Sequence, residues 1–89
     1  MAWSIKFDPR AERELAKLDR QVQVRILRFL RERIAPLDDP RELGEALSGP
    51  LRFFWKYRVG HYRVIADLQR EQLVILVVRI GHRGSIYRE

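Results

Sequence analysis

Two short segments in the C-terminal half hold the residues able to act on a polyanion. The first is Trp55-Lys56-Tyr57-Arg58-Val59-Gly60-His61-Tyr62-Arg63-Val64-Ile65, and the second is Gly81-His82-Arg83-Gly84-Ser85-Ile86-Tyr87-Arg88. Gly60-His61 reads as a two-residue hairpin turn, with glycine supplying the positive φ that a type II′ turn needs. Closing the chain there pairs Val59 with Tyr62, Arg58 with Arg63, Tyr57 with Val64, Lys56 with Ile65 and Trp55 with Ala66. Side chains of a strand alternate between its faces. Trp55, Tyr57, Val59, Tyr62, Val64 and Ala66 therefore share a core-like face, and Phe54, Lys56, Arg58, Arg63 and Ile65 share the face expected to look outward.

Two arginines directly opposite each other repel, and Lys56 beside them adds to it. A fold that needed only stability gains by replacing one arginine with Glu or Thr. A bound phosphate removes the repulsion, and guanidinium forks match its geometry. The competing reading is that Asp67, Glu71 or the C-terminal carboxylate neutralises the cluster. In the second segment His82, Arg83, Tyr87 and Arg88 are placed to fold over the edge of the cationic face, Tyr87 as a stacking platform and the arginines as phosphate contacts. The plainer alternatives are that Tyr87 plugs the core and that His82 only shapes a turn. The cationic face gathers no His/Asp/Glu cluster of the kind that holds a metal. A pentacovalent phosphate carries extra negative charge, which converging Arg and Lys stabilise. A lysine acts as base only if neighbouring cations lower its pKa, and Arg58 and Arg63 are placed to do so for Lys56. His82 is the other candidate proton carrier.

The elements that must position these residues are legible around them. Trp3 to Phe7 alternates apolar and polar as a short strand. Asp8-Pro9 starts a helix, with Asp8 as N-cap and Pro9 in the first turn. Ala11, Leu15 and Leu18 follow at helical spacing. Asp19 is placed to cap a second helix with the stripe Val22, Ile26, Phe29, Leu30, Ile34, and Pro36 ends it. Residues 35–50 are loop-like, with a helical turn expected over Pro40 to Leu47 that buries Leu43 and Leu47. Strands are expected at Phe53–Val59, Tyr62–Asp67 and Leu73–Ile80, with Gln69 to Gln72 as the polar turn before the last. The order predicts an α+β domain: one antiparallel sheet of about four strands with two N-terminal helices on one face. Trp55, Tyr57, Tyr62 and Val64 should pack against Leu15, Ile26 and Leu30.

Size and composition agree. The 89 residues are one domain's worth of chain, 46% apolar and 34% charged, enough to build a modest core. There is no cysteine, so disulfides and thiolate metal sites are excluded. Nothing resembles a signal peptide or a membrane span, and the cytosol is the expected compartment. The net charge is +6. Residues 1–49 are nearly balanced, with ten basic and nine acidic groups, whereas residues 50–89 hold eight against three. Such a basic half seeks polyanions or an acidic partner.

Leu47-x-Gly49 followed by the Trp55–Ile65 motif, then Gly81-His82-Arg83 and Ile86-Tyr87-Arg88, resembles the RelE branch of the RelE/ParE toxin superfamily over nearly the whole chain. The resemblance implies a type II toxin–antitoxin toxin that enters the A site of the ribosomal small subunit and cuts messenger RNA there. The 2′-hydroxyl attacks the adjacent phosphate and leaves a cyclic phosphate, with no metal or cofactor. By position, Lys56 matches a proposed general base and Arg63 an arginine that binds the phosphate. Arg83 matches a proposed general acid or transition-state stabiliser, and Tyr87 a tyrosine that stacks on the nucleotide. Arg58, His82 and Arg88 extend the RNA- and phosphate-binding patch. The best-characterised members carry a second lysine two residues before Lys56, where this chain has Phe54. The implied partners are a RelB-like antitoxin with an acidic segment, the ribosome and messenger RNA. Operator DNA is met only through the antitoxin, and no membrane is involved. Two alternatives stay open: a ParE-like inhibitor of DNA gyrase, whose branch usually lacks the residues matched by Arg83 and Tyr87, and an inactive antitoxin-bound corepressor.

Overall fold

The computed structural model describes residues 2–82. Strand β1 (Ser4–Phe7) leads into helix α1 (Pro9–Ala16) through Asp8, whose Oδ1 accepts the Ala11 N–H at 2.9 Å. Satisfying one of the orphan amides of the first turn, with Pro9 where no donor is needed, fixes this helix start. Helix α2 (Arg20–Phe29) begins after Asp19, but the Asp19 side chain makes no capping bond. The Gln23 side chain instead ties the turn, donating from Nε2 to the Leu18 carbonyl at 2.9 Å. Beyond Phe29 the helix widens into a π-helical turn, Leu30–Ile34. The buried stripe Ile26, Leu30, Ile34 repeats every four residues, which drifts about 40° per step around an ordinary α-helix. The wider turn brings it back towards one line.

A 3₁₀ turn (Pro40–Leu43) precedes β2 (Glu45–Ala46), and a second (Gly49–Leu51) precedes β3 (Trp55–Val59), β4 (Tyr62–Gln69) and β5 (Val74–His82). The sheet order is β1-β5-β4-β3-β2. The α+β architecture is the expected one, with two departures. The described residues form five strands rather than about four, because Glu45–Ala46 pairs with Trp55–Lys56. The sheet is mixed rather than antiparallel: β1 runs parallel to β5, with Ser4 opposite Val74 and Phe7 opposite Val77. A strand that enters the sheet through helices, not a tight turn, has no hairpin to fix its direction.

The expected turn over Pro40 to Leu47 stops at Leu43, which is 45% exposed rather than buried. The strand expected from Phe53 starts at Trp55. Phe53 stands 71% exposed beneath the Arg52 guanidinium, whose Cζ lies 4.6 Å from the ring centroid.

The core lies between the sheet and the helices. Tyr57, Val64, Ile26 and Leu30 are fully buried, and Leu15, Trp55 and Tyr62 pack at its margin. The Tyr57 hydroxyl donates to the Pro40 carbonyl at 2.7 Å. Its ring lies so close to Gly44 that a Cβ there would sit 3.1 Å away, holding the loop flush against the sheet. Burial raises the Tyr57 phenol well above its ordinary pKa, with the Asp39 charge adding to the effect, so the hydroxyl remains a donor. On the other side of the sheet's centre, where β5 extends past the end of β1, Glu14 of α1 takes over the edge. It accepts the Ile80 N–H at 2.7 Å and the Arg79 Nε–H at 3.1 Å. No helix among the described residues is long and apolar enough to cross a membrane.

Candidate functional site

The β3–β4 hairpin carries the site. Gly60 has φ +62° and His61 does not share a positive φ, as a type II′ turn requires. The register is the one read from the sequence, rung by rung: Val59 opposite Tyr62, Arg58 opposite Arg63, Tyr57 opposite Val64, Lys56 opposite Ile65 and Trp55 opposite Ala66. Alternation therefore sets Lys56, Arg58 and Arg63 on the face away from the Tyr57–Val64 core. A bulge between Ile65 and Ala66 adds one residue to β5, so that Ile65 faces Arg79 and Ala66 faces Val77.

The three cations differ in their settings. Arg58 is exposed. Arg63, expected to look outward, is only 6% exposed, because its guanidinium turns back along its own hairpin and donates from Nη1 to the Tyr62 carbonyl at 3.1 Å and to the Gly60 carbonyl at 3.3 Å. Those bonds fix the fork's position at the hairpin tip. The Lys56 side chain is 18% exposed, and its Nζ pairs with Glu45 Oε1 at 3.1 Å.

Glu45 was not anticipated as part of this face. The carboxylates expected to neutralise the cluster were Asp67, Glu71 or the terminus, yet the ladder brings Glu45 beside Lys56 from β2, while Asp67 accepts a hydrogen bond from Gln69. The Lys56 hydrogen bond and charge, followed by the Arg58 and Arg63 charges, hold the Glu45 carboxyl below its ordinary range. The sequence holds no local sign of it, since Glu45 follows Asp38, Asp39 and Glu42 in the loop and lies well ahead of the basic strand.

His82 closes β5 opposite Tyr62, on the other side of the sheet from Arg63. Its ring stacks on His61, with centroids 6.2 Å apart, and meets Tyr62 edge-on at 5.5 Å. Lys56, Arg58 and Arg63 thus come together, and His82 sits at the hairpin tip with His61. Arg83, Tyr87 and Arg88 lie outside the described residues. Among the described residues, no three His, Cys, Asp or Glu side chains gather into a metal-sized cluster.

Beside β3, beyond the short β2, opens a cleft of about 210 Å³ lined by Phe29, Arg33, Leu43, Glu45, Lys56 and Arg58. Lys56 and Arg58 thus border both the cationic face and this cleft. Guanidinium and ammonium groups converging around a hairpin fixed at both ends can hold a phosphate and stabilise negative charge that grows on it.

Residues 5–87 match the family described as the ParE toxin of type II toxin–antitoxin systems, parDE. The toxin RelG of Mycobacterium tuberculosis is 26% identical over 88 residues, which cover 99% of each chain. The mRNA interferase toxin RelE of Escherichia coli is 30% identical over an alignment of 92 positions, covering all of this chain and 94% of that one. Among solved structures, the RelBE2 toxin–antitoxin complex of Mycobacterium tuberculosis contains a chain with the same fold, at a TM-score of 0.84 and 22% identity, with 96% of this chain and 95% of that one covered.

Proposed function

The chain belongs to the RelE-like toxins of type II toxin–antitoxin systems, and from that premise we propose that it is a ribosome-dependent endoribonuclease that cuts messenger RNA in the A site and so stops translation in the cytoplasm. The observation that carries the reading is the Arg58–Arg63 rung with Lys56 two residues along the same face. Like charges facing each other on one rung disfavour an empty sheet and suit a phosphate.

In the proposed reaction the 2′-oxygen of one nucleotide attacks the adjacent phosphorus, and the bond from phosphorus to the 5′-oxygen of the next nucleotide breaks. The products are a 2′,3′-cyclic phosphate and a free 5′-hydroxyl. One proton leaves the 2′-hydroxyl for a base, and one reaches the departing 5′-oxygen from an acid. Lys56 takes the first role in this reading, once its ion pair with Glu45 opens and frees the amine. Arg63, whose fork is anchored by hairpin carbonyls, binds the phosphate, and Arg58 widens the patch. Arg83 supplies the acid or the final stabilising charge, Tyr87 stacks on the nucleotide, and His82 and Arg88 add RNA contacts. No metal or cofactor enters the scheme. A RelB-like antitoxin with an acidic segment holds the toxin inactive, its association quickened by charge and slowed by salt. Operator DNA is reached only through that antitoxin.

The deciding experiment is single-turnover cleavage of a ribosome-bound message by the purified chain, with RNA ends mapped. Cuts in the A site that vanish in Arg83→Ala, with the variant's melting temperature unchanged, are expected. Tyr87→Phe should lose less than Tyr87→Ala if the ring stacks. The ParE description of the matching family keeps gyrase in view as a second target. Cells expressing the chain that show DNA damage while translation continues would move the assignment there, and ribosome binding without cutting would favour an inactive corepressor.

A further inference from the structure

We propose that the cleft between the π-helical turn and the edge of β3 is a subsite for one nucleotide flanking the cleaved phosphate, with Arg33 on the nucleotide's own phosphate and Phe29 and Leu43 under its base. The proposal rests on RNA being the substrate, and it adds residues from the helical layer that no motif in the sequence marks.

The cleft's walls come from different layers. Arg33 stands in the π-helical turn Leu30–Ile34 and is exposed, whereas Arg58 stands on β3. Both line the same cavity. Neither forms an ion pair with a carboxylate among the described residues. Two guanidiniums lining one opening, neither in an ion pair, are unfavourable when it is empty and favourable around a phosphate. The third cation, Lys56, pairs with Glu45, whose carboxylate also feels the Arg58 charge, and three cations against this one carboxylate leave the cleft's lining net positive.

Between the charges the floor is apolar. Leu43 is 45% exposed in a small domain that otherwise covers most of its large apolar side chains. Phe29 is half-buried, meets the Tyr57 ring edge-on at 6.4 Å and lines the cleft. A planar ring with a phosphate attached satisfies both features. At about 210 Å³, the cleft falls short of the roughly 300–1,000 Å³ of sites for drug-sized ligands, so it has room for one base, with the sugar and phosphate at its rim. An acidic peptide with an apolar side chain meets some of the same demands. Continuity favours RNA, because Lys56 and Arg58 belong to the phosphate-binding face as well as to the cleft.

The test uses the full chain and a seven-nucleotide single-stranded RNA carrying 2′-O-methyl groups, which cannot be cut by 2′-attack. Binding is followed by NMR and by fluorescence anisotropy across a salt series. Arg33→Ala should weaken binding roughly three- to tenfold and lower the slope of log K against log salt by about 0.7, the value for one lost phosphate contact on a single strand. Leu43→Ser should weaken binding while leaving the salt slope alone, and RNA should shift the Phe29 ring resonances. Both side chains are exposed, so melting temperatures should hold. Failure of the parent to bind the RNA, or binding indifferent to Arg33→Ala, overturns the subsite. So does a pattern in which the two substitutions spare RNA but loosen a copurified protein partner. If Arg33-dependent binding is found and the parent still never cuts ribosome-bound messages, the subsite stands and the cleavage assignment fails.

Discussion

Two neighbouring rungs of the β3–β4 hairpin are built in opposite ways. In the Tyr57–Val64 rung both side chains are fully buried, and the Tyr57 hydroxyl is satisfied by the Pro40 carbonyl. One residue along, the Arg58–Arg63 rung sets like charges opposite each other. Both rungs belong to one antiparallel ladder, and the main difference between them is which side of the sheet the side chains take. One rung stabilises the domain. The other is tolerated by it, and the same turn at Gly60 fixes the register of both.

The sharpest way to test that division is to break the first rung. Tyr57→Ala should cost about 3–5 kcal/mol, the range for emptying a buried aromatic position, read from the midpoint of guanidinium unfolding. A loss below 1 kcal/mol would mean that the core tolerates collapse there. Breaking the second rung should act mostly on rate, with a smaller loss of stability because Arg63 is buried and donates to the Gly60 and Tyr62 carbonyls. Arg63→Ala is expected to slow single-turnover cleavage on the order of 10²–10³-fold, the usual effect of losing one group that stabilises transition-state charge. Arg63→Lys should recover only part of it, since the amine cannot reproduce the fork. Equal rates for parent and Arg63→Ala would separate the rung from the chemistry.

A gentler change to the buried rung is Tyr57→Phe, which keeps the ring and leaves the Pro40 carbonyl without its donor. It should cost about 1–2 kcal/mol. Relieving the charged rung should do the reverse. Arg58→Thr is expected to raise stability by a few tenths to about 1 kcal/mol while weakening RNA cleavage, and a fall in stability would show that something already compensates the pair.

The smallest effect concerns pH at the loop beneath Tyr57. Hydrogen bonds from the Arg41 side chain and backbone lower the Asp39 pKa from 3.8 to about 2. Between those values the unfolded chain binds the proton and the folded one does not, so stability rises with pH. Its contribution is whole above about pH 4 and drains away as pH falls towards 2. Asp39→Asn should flatten that part of the acid-unfolding curve, and an unchanged curve would assign the loss to other carboxylates.

Local chemistry was readable in the sequence and distant pairing was not. Gly60 names its turn, and a period of two then dictates all five rungs. Asp8-Pro9 marks the start of α1 for equally local reasons. By contrast, Glu45–Ala46 is too short to show a period, so neither β2 nor the Lys56–Glu45 pair could be foreseen. Alternation told which side Arg63 takes but not that its guanidinium would fold back onto the Gly60 and Tyr62 carbonyls. The cleft joins a helix, a loop and a strand edge, and no spacing along the chain encodes such a meeting. The direction of β1 was hidden too, since its partner is the last strand.

That last pairing bears on when the protein comes into being. Ser4 lies opposite Val74, and the Ser4 N–H donates to the Leu73 carbonyl at 2.8 Å, so the first strand has no seat until nearly the whole chain exists. Contacts between opposite ends of a chain form late, after the entropy of closing a long loop has been overcome. Domains complete themselves only when synthesis has delivered all their parts. During translation the β3–β4 hairpin emerges before the strand that joins it to β1. A domain that closes only through β5 thus stays unfinished until that strand is made, and whatever activity depends on the closed fold is withheld for most of its own synthesis.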